Sequence, residues 1–485
     1  MMHDEKNVFE KSVKGRKGYS LSSKDIDDKS LSDFLSDDLL RDEKPHLPEL
    51  SELDVMRHYT RLSQKNYSID TNFYPLGSCT MKYNPRINEE IAALEGFAAT
   101  HPLQYQYTVQ GNLGLMYELG EMLKTITGMD AITLQPAAGA HGELTGLLMI
   151  RAYHEAHGNP RKKVIIPDSA HGTNPSSAHL CGYEVITIKT GKDGFMSPES
   201  VAEVMDETVA CLMVTNPSTL GIFEKNIKEI ADIVHKKGGL VYCDGANLNA
   251  IMGTIRVGDL GIDCMHFNLH KTFTTPHGGG GPGSGPVVVK KNLEPFLPKP
   301  VIVKTSEGKF VTLYDRPQSI GRVRAFFGNF GMFVRAYTYI RELGAEGILC
   351  TSQMAVLNAN YIRARLKDHY SLAYEAPSMH EVIFTDKTFK GTKIKTLDLA
   401  KRVLEFGFHS PTVYFPIMVS GAIMIEPTET ESKETLDLFC DAMIQIAREA
   451  KEEPEKLLQA PSTLFRRRLD EVKAVKEAKL RDSTL

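Results

Sequence analysis

The chain has 485 residues, a formal net charge of −4, and 42% hydrophobic and 24% charged residues. That length buries a large core with room for a smaller second domain, and that balance excludes a disordered or fibrous protein. The charge leaves no footprint for nucleic acid, no apolar run approaches the roughly 18 residues that span a bilayer, and the opening MMHDEKNVFEK has no signal-peptide core, so a cytoplasmic protein is expected, with no membrane and no nucleic acid as partner.

Residues 1–95 open rich in Lys, Asp, Glu and Ser and read as an N-terminal arm and lead-in, either packed on a neighbouring subunit or a solvated tail. Over 96–330 short apolar runs alternate with helical patterns. AITLQ leads through PAAGA into HGELTGLLMIRAYHEAHG, VIIP into DSAHGT, and CLMVT into a long amphipathic stretch; EVITI, LVYCDGAN, DCMHFNLHK and PVVVKK complete the set. Strands apolar on both faces, separated by helices, predict an α/β domain with a mainly parallel central sheet and helices on both faces.

Residues 331–485 become mainly helical and then show EVIFTD, VYFPIM and AIMIEP, predicting a smaller C-terminal α+β domain. Its last long helix opens at ETESKE, with Thr430 to Lys433 spaced as a partial capping box. The charged tail from Arg448 reads as a solvated helix. The seven cysteines show no CxxC pair, so neither a zinc site nor a disulfide framework is suggested.

In a parallel sheet, ligands gather at the carboxyl ends of the strands. Asp244 ends the apolar run LVYC, where burial raises a carboxyl pKa unless a cation sits opposite. Lys271 ends the next run, a setting that favours the neutral, nucleophilic amine. Taken singly, each is equally a structural residue at a loop start. Together they are explained by a pyridinium ring between them: pyridoxal 5′-phosphate (PLP), held as a Schiff base on Lys271 with its ring nitrogen paired to Asp244.

PAAGA, small and opening a helix, offers free N–H groups to a phosphate. His171 is placed to stack on a ring or is an ordinary loop histidine, and Asn247 is a candidate donor to the ring's phenolic oxygen.

Three other readings of HFNLHKTFTTPHGGGGPGSGP fail. Gly278, Gly280 and Gly283 satisfy GxGxxG, but prolines and a strand follow rather than a helix, and no GK[ST] completes a phosphate loop. His266 and His270 lack the glutamate of HExxH and fall in a strand-like run, so no metal site is predicted.

NFYPLGSCTMKYNP, PAAGAHGELTGLLMIRAYH, DSAHGTNPSSA, CDGANLNAIMG and HFNLHKTFTTPHGGGGPGSGP together resemble glycine decarboxylase, the P-protein of the glycine cleavage system, a fold-type-I PLP-dependent enzyme. The chain is about half the length of the single-chain form and resembles its C-terminal half, subunit 2 of the two-subunit type. The resemblance implies a partner subunit 1 in an α2β2 heterotetramer. It also implies decarboxylation of glycine with transfer of the aminomethyl group to the lipoyl arm of H-protein, as in glycine dehydrogenase (aminomethyl-transferring).

Carried onto this chain, the motifs imply Lys271 for the Schiff base, Asp244 for the pyridine nitrogen and His171 for ring stacking. They place Ala138, Gly139, Ala140 and His270 near the phosphate, and Ser78, Cys79 and Thr80 at the substrate entrance or in a tight structural loop. Another fold-type-I enzyme, a cysteine desulfurase or an amino-acid decarboxylase, would show the same Lys, Asp and His; a non-catalytic scaffold for subunit 1 would need neither Lys271 nor Asp244.

Overall fold

A computed structural model describes residues 5–20, 22, 23, 25, 27–43, 45–277 and 283–480. Gly278 to Pro282, which carry most of the rejected glycine fingerprint, lie outside the described residues.

The central sheet is built from β1 (Ala131–Thr133), β2 (Lys163–Pro167), β3 (Glu184–Ile188), β4 (Val209–Thr215), β5 (Leu240–Asp244), β6 (Cys264–His266) and β7 (Val287–Val289), in the order β1-β7-β6-β5-β4-β2-β3. Strands β3, β2, β4, β5 and β6 run parallel; β7 is antiparallel to β6 and to β1. The mainly parallel sheet read from the sequence is the one found.

Strands β4, β5 and β7 are almost wholly apolar because both faces are covered, whereas the edge strand β3 exposes Glu184 and Thr187. Leu212, Val214, Val241, Cys243 and Met265 pack into one core cluster, whereas Cys211, Met213, Tyr242 and Cys264 pack into another. Successive side chains of a strand point to opposite faces, so this alternation puts one core on each side of the sheet.

The predicted strand ending at Lys271 is shorter than expected. β6 stops at His266, and Lys271 sits in the turn beyond it, its N–H donating to the Asn268 carbonyl (3.1 Å).

A hairpin follows, β8 (Val301–Lys304) and β9 (Phe310–Leu313). The helix Phe330–Leu366 comes next, interrupted at Gly344, whose φ of 62° only glycine adopts freely. A second, antiparallel sheet contains β10 (Ser371–Leu372), β11 (Val382–Thr385), β12 (Thr412–Val413) and β13 (Ala422–Ile425), in the order β10-β11-β13-β12.

Its covering helix, Lys433–Glu452, is capped by Ser432, whose hydroxyl accepts the Thr435 N–H (3.2 Å), rather than by Thr430. The charged stretch from Arg448 is not solvated throughout: Glu449 is buried against Arg402 at 2.8 Å because this face of the helix packs on its neighbour.

The chain divides into two compact units, residues 69–458, which hold both sheets, and residues 1–68 with 459–485. Most described residues of the second unit are exposed. It is organised by the helix Glu52–Ser63, opened by a Ser51/Asp54 capping box, with Leu50 and His58 buried. Among the described residues no helix is long and apolar enough to cross a membrane.

Candidate active site

The carboxyl ends of β4, β5 and β6 converge on a cavity of about 160 Å³. Gly139, Ala140, His171, Asp244, Asn247 and Lys271 all line it, although they come from four separate segments of the chain. Ala138 and His270 are not in its lining. Ala138 is the extended residue that caps the helix Gly139–Ala156. His270 has its ring 5.3 Å from that of His277.

Asp244 is the last residue of β5 and lies directly across from His266 of β6 in the sheet register. It is 3% exposed, so burial alone would push its carboxyl up. Opposing this, His266 Nε2 stands 3.3 Å from Oδ1, the Ala246 N–H donates to Oδ1 (3.0 Å) and the Asn174 amide donates to Oδ2 (2.9 Å). With the field of Lys271 added, these outweigh burial and hold the carboxyl below its ordinary value. The partner that the sequence made the condition for an ionised Asp244 is thus a set, the His266 ring, the Asn174 amide and the Ala246 N–H, with Lys271 in the same cavity.

Tyr242 fixes that histidine. Its hydroxyl, kept protonated by full burial, lies 2.6 Å from His266 Nδ1. With that nitrogen accepting, the proton of His266 is on Nε2, facing Asp244.

The helix Gly139–Ala156 runs across this face of the sheet because its glycines let it approach. A Cβ on Gly139 would stand 2.8 Å from Asn268 Oδ1 and 3.2 Å from His266 Nε2, and one on Gly142 would stand 2.8 Å from His266 Cβ. Gly285 is equally constrained, since a Cβ there would run into the carbonyl of Ala138. Gly139 and Ala140, which open this 18-residue helix, line the cavity, and no side chain caps the helix N-terminus.

His171 is oriented from behind. Its Nδ1 lies 2.8 Å from the Thr173 hydroxyl, which donates to Glu143 (2.7 Å), itself buried and bonded to Ser177 (2.9 Å).

His270 is half-buried, and burial, followed by the fields of His277 and Lys271, pushes its pKa down to about 3. It is a neutral imidazole packed near Gly283, so the phosphate contact implied for it is not supported by a place in the cavity.

Asn247 also departs from its expected role. Its amide hydrogens go to the Thr80 hydroxyl and to Glu426 Oε1 (2.8 Å), which leaves neither for a ring oxygen. Ser78, Cys79 and Thr80 form a loop fixed to the second sheet. Ser78 and Thr80 adopt φ of 68° and 53°, and their N–H groups donate to Glu381 (2.9 Å) and Glu426 (3.1 Å).

The sequence reading missed Glu143, Thr173, Asn174, His266 and Asn268 on one side, and His380, Glu381 and Glu426 on the other. The last two carried a usable signal: Glu381 opens the apolar run VIFT, and Glu426 closes AIMI, the same setting that singled out Asp244.

The arrangement fits a phosphorylated pyridine aldehyde. An open helix N-terminus faces one end of the cavity, an ionised carboxylate and a lysine face its floor, and buried polar atoms without protein partners, Thr215 Oγ1 and Asn268 Oδ1, belong to residues of its wall. Fold and site define the chain as a fold-type-I PLP-dependent enzyme.

The family described as aminotransferase class-V matches residues 145–316, and that described as glycine dehydrogenase, C-terminal domain, matches residues 351–466. The probable glycine dehydrogenase (decarboxylating) subunit 2 of Bacillus licheniformis is 57% identical over 479 residues, covering 99% of each chain. That of Bacillus velezensis is 58% identical over 479 residues, covering 99% of this chain and 97% of its own. The chain belongs to the glycine dehydrogenase (decarboxylating) subunit 2 family. A crystal structure of the glycine decarboxylase (P-protein) of the glycine cleavage system, in inhibitor-bound form, shares the fold with a TM-score of 0.71 at 20% identity, covering 86% of this chain and 94% of that one.

Proposed function

We propose that this chain is the catalytic subunit of a two-subunit glycine decarboxylase. It would release CO2 from glycine and pass the aminomethyl group to the lipoyl disulfide of an H-protein, working with a subunit 1 in an α2β2 assembly. The observation that carries this reading is Asp244, a buried carboxylate kept ionised by His266, Asn174 and Ala246 in a cavity that also receives Lys271. A non-catalytic scaffold has no use for that charge.

When bound, PLP supplies an electron sink for the pair left by the departing carboxyl group. Lys271 would hold its aldehyde as a Schiff base. Asp244 would keep a proton on its ring nitrogen, and His171, braced by Thr173 and Glu143, would lie on its ring face. The N–H groups opening the helix Gly139–Ala156 would bind its phosphate. The region of the first sheet, within 96–330, serves in this reading as the cofactor-binding domain, and that of the second, within 331–485, as the smaller domain.

The test is exchange of labelled bicarbonate into the carboxyl group of glycine, with the chain, its partner subunit and lipoylated H-protein all present. Exchange that depends on the lipoyl arm supports the reading. Its absence, with turnover of another amino acid, overturns it.

A further inference from the structure

Two buried carboxyl groups outside the cofactor's set of ligands meet where the second sheet borders the cavity. Glu381 immediately precedes β11, and Glu426 immediately follows β13, the strand paired with it. They are 3% and 1% exposed, and ligand-type atoms of His380, Glu381 and Glu426 lie within 4.8 Å of one another. Two carboxylates that close, both out of water, cannot both stay charged; one keeps a proton.

Their hydrogen bonds decide which. Glu426 accepts from the Thr80 N–H (3.1 Å), the Thr80 hydroxyl (2.6 Å), the Asn247 amide (2.8 Å) and the Asn249 amide (3.1 Å). Glu381 accepts only the Ser78 N–H (2.9 Å) among the described residues. Four donors stabilise the carboxylate form of Glu426, so the proton resides on Glu381, the member of the pair that lines the cavity.

Burial, and then the charge of Glu426, push the Glu381 carboxyl well above its ordinary value; the Ser78 N–H and Lys271 oppose this without cancelling it. The other titratable neighbours are His380, whose pKa burial lowers, and the Cys79 thiol, whose pKa burial raises. Both are neutral at ordinary pH, so neither competes for the role of charged partner.

The proposed reaction needs such an acid. The bond from the glycine α-carbon to its carboxyl group breaks to give CO2, and that electron pair ends in a new bond from carbon to one lipoyl sulfur. The sulfur–sulfur bond breaks, its pair stays on the other sulfur, and that sulfur takes up one proton to become a thiol. One proton is therefore consumed per turnover, and the disulfide is the oxidant.

We propose that Glu381, held opposite ionised Glu426 by the Ser78–Thr80 loop, is the general acid that protonates the departing lipoyl sulfur. The inference rests on the function proposed above. Solvent restores the proton after each turnover. The unusual backbone of Ser78 and Thr80 acquires a purpose, since it aims successive N–H groups at two different carboxyl groups.

The experiment measures aminomethyl transfer to lipoylated H-protein by the assembled enzyme across pH. The wild type loses rate at alkaline pH as Glu381 gives up its proton. Glu381→Gln keeps the Ser78 contact and the visible absorbance of the bound cofactor. It falls roughly a hundredfold in rate and loses the alkaline limb. Glu426→Gln removes the neighbouring charge and moves that limb to lower pH.

In the cofactor-free assembly, the alkaline fall of the thermal midpoint flattens in Glu381→Gln. An alkaline limb that survives in Glu381→Gln, or one unmoved in Glu426→Gln, overturns the assignment. If wild-type enzyme releases no CO2 from glycine, the proposed function itself fails; if it does and Glu381→Gln matches it, only the general acid is wrong.

Discussion

Asp244 and Glu381 are both 3% exposed, line the same cavity and feel the field of Lys271, yet they are driven to opposite charge states. Asp244, at the end of the first sheet, faces a histidine and receives two hydrogen bonds. Glu381, at the edge of the second, faces another carboxylate and receives one. Burial is the same in both; the neighbours decide the proton. Two carboxyl groups with different surroundings thus give one cavity both a charged and a protonated carboxyl.

The comparison breaks most sharply at Asp244. Asp244→Asn keeps the shape and removes the charge, and turnover should fall by roughly a hundredfold or more. Steady-state CO2 release checks this, with the visible spectrum reporting whether cofactor still binds. Gly285→Ala acts on the cradle rather than on a charge. Its Cβ meets the backbone of Ala138, and the shift it forces should cost about 1–3 kcal/mol of stability and weaken cofactor affinity, read by thermal unfolding and cofactor titration.

The two carboxyl groups should also load stability in opposite directions. Asp244 has its folded pKa below the ordinary 3.8, so its contribution is present above that value and is lost as pH falls through the folded pKa. Glu381 has its folded pKa well above 4.5, so its contribution is present below that value and is lost as pH rises through the folded pKa. Asp244→Asn should therefore flatten the acid side of a plot of thermal midpoint against pH and leave the alkaline side intact. The smallest effect is expected at Thr173→Val, which frees His171 from Glu143. Losing about 0.5–1.5 kcal/mol of hydrogen bonding should cost a few-fold in turnover, with no change in the pH profile.

The first end of the cavity was more legible in the sequence than the second. Apolar runs ending in polar residues marked β4, β5 and the turn after β6, and Asp244 stood out because a carboxylate at the end of LVYC needs a reason. Its supports did not stand out. His266 reaches it through strand register and Asn174 through the packing of a helix, and neither is a local pattern.

The acceptors of the Asn247 amide, Thr80 and Glu426, lie far away in the chain and leave no local pattern. β6 reads longer in the sequence than it is because apolar character continues through Phe267 and Leu269, both fully buried beyond the end of the strand. Glu381 and Glu426 bordered apolar strands just as Asp244 does, but their meaning depends on the antiparallel pairing of β11 with β13 that brings them together.

Infrared difference spectra of the cofactor-free enzyme at neutral pH, wild type minus variant, test the split directly. Glu381→Gln should remove a protonated-carboxyl carbonyl band, whereas Asp244→Asn should remove only carboxylate bands. A carboxylate lost from Glu381, or a protonated carboxyl lost from Asp244, would contradict the account.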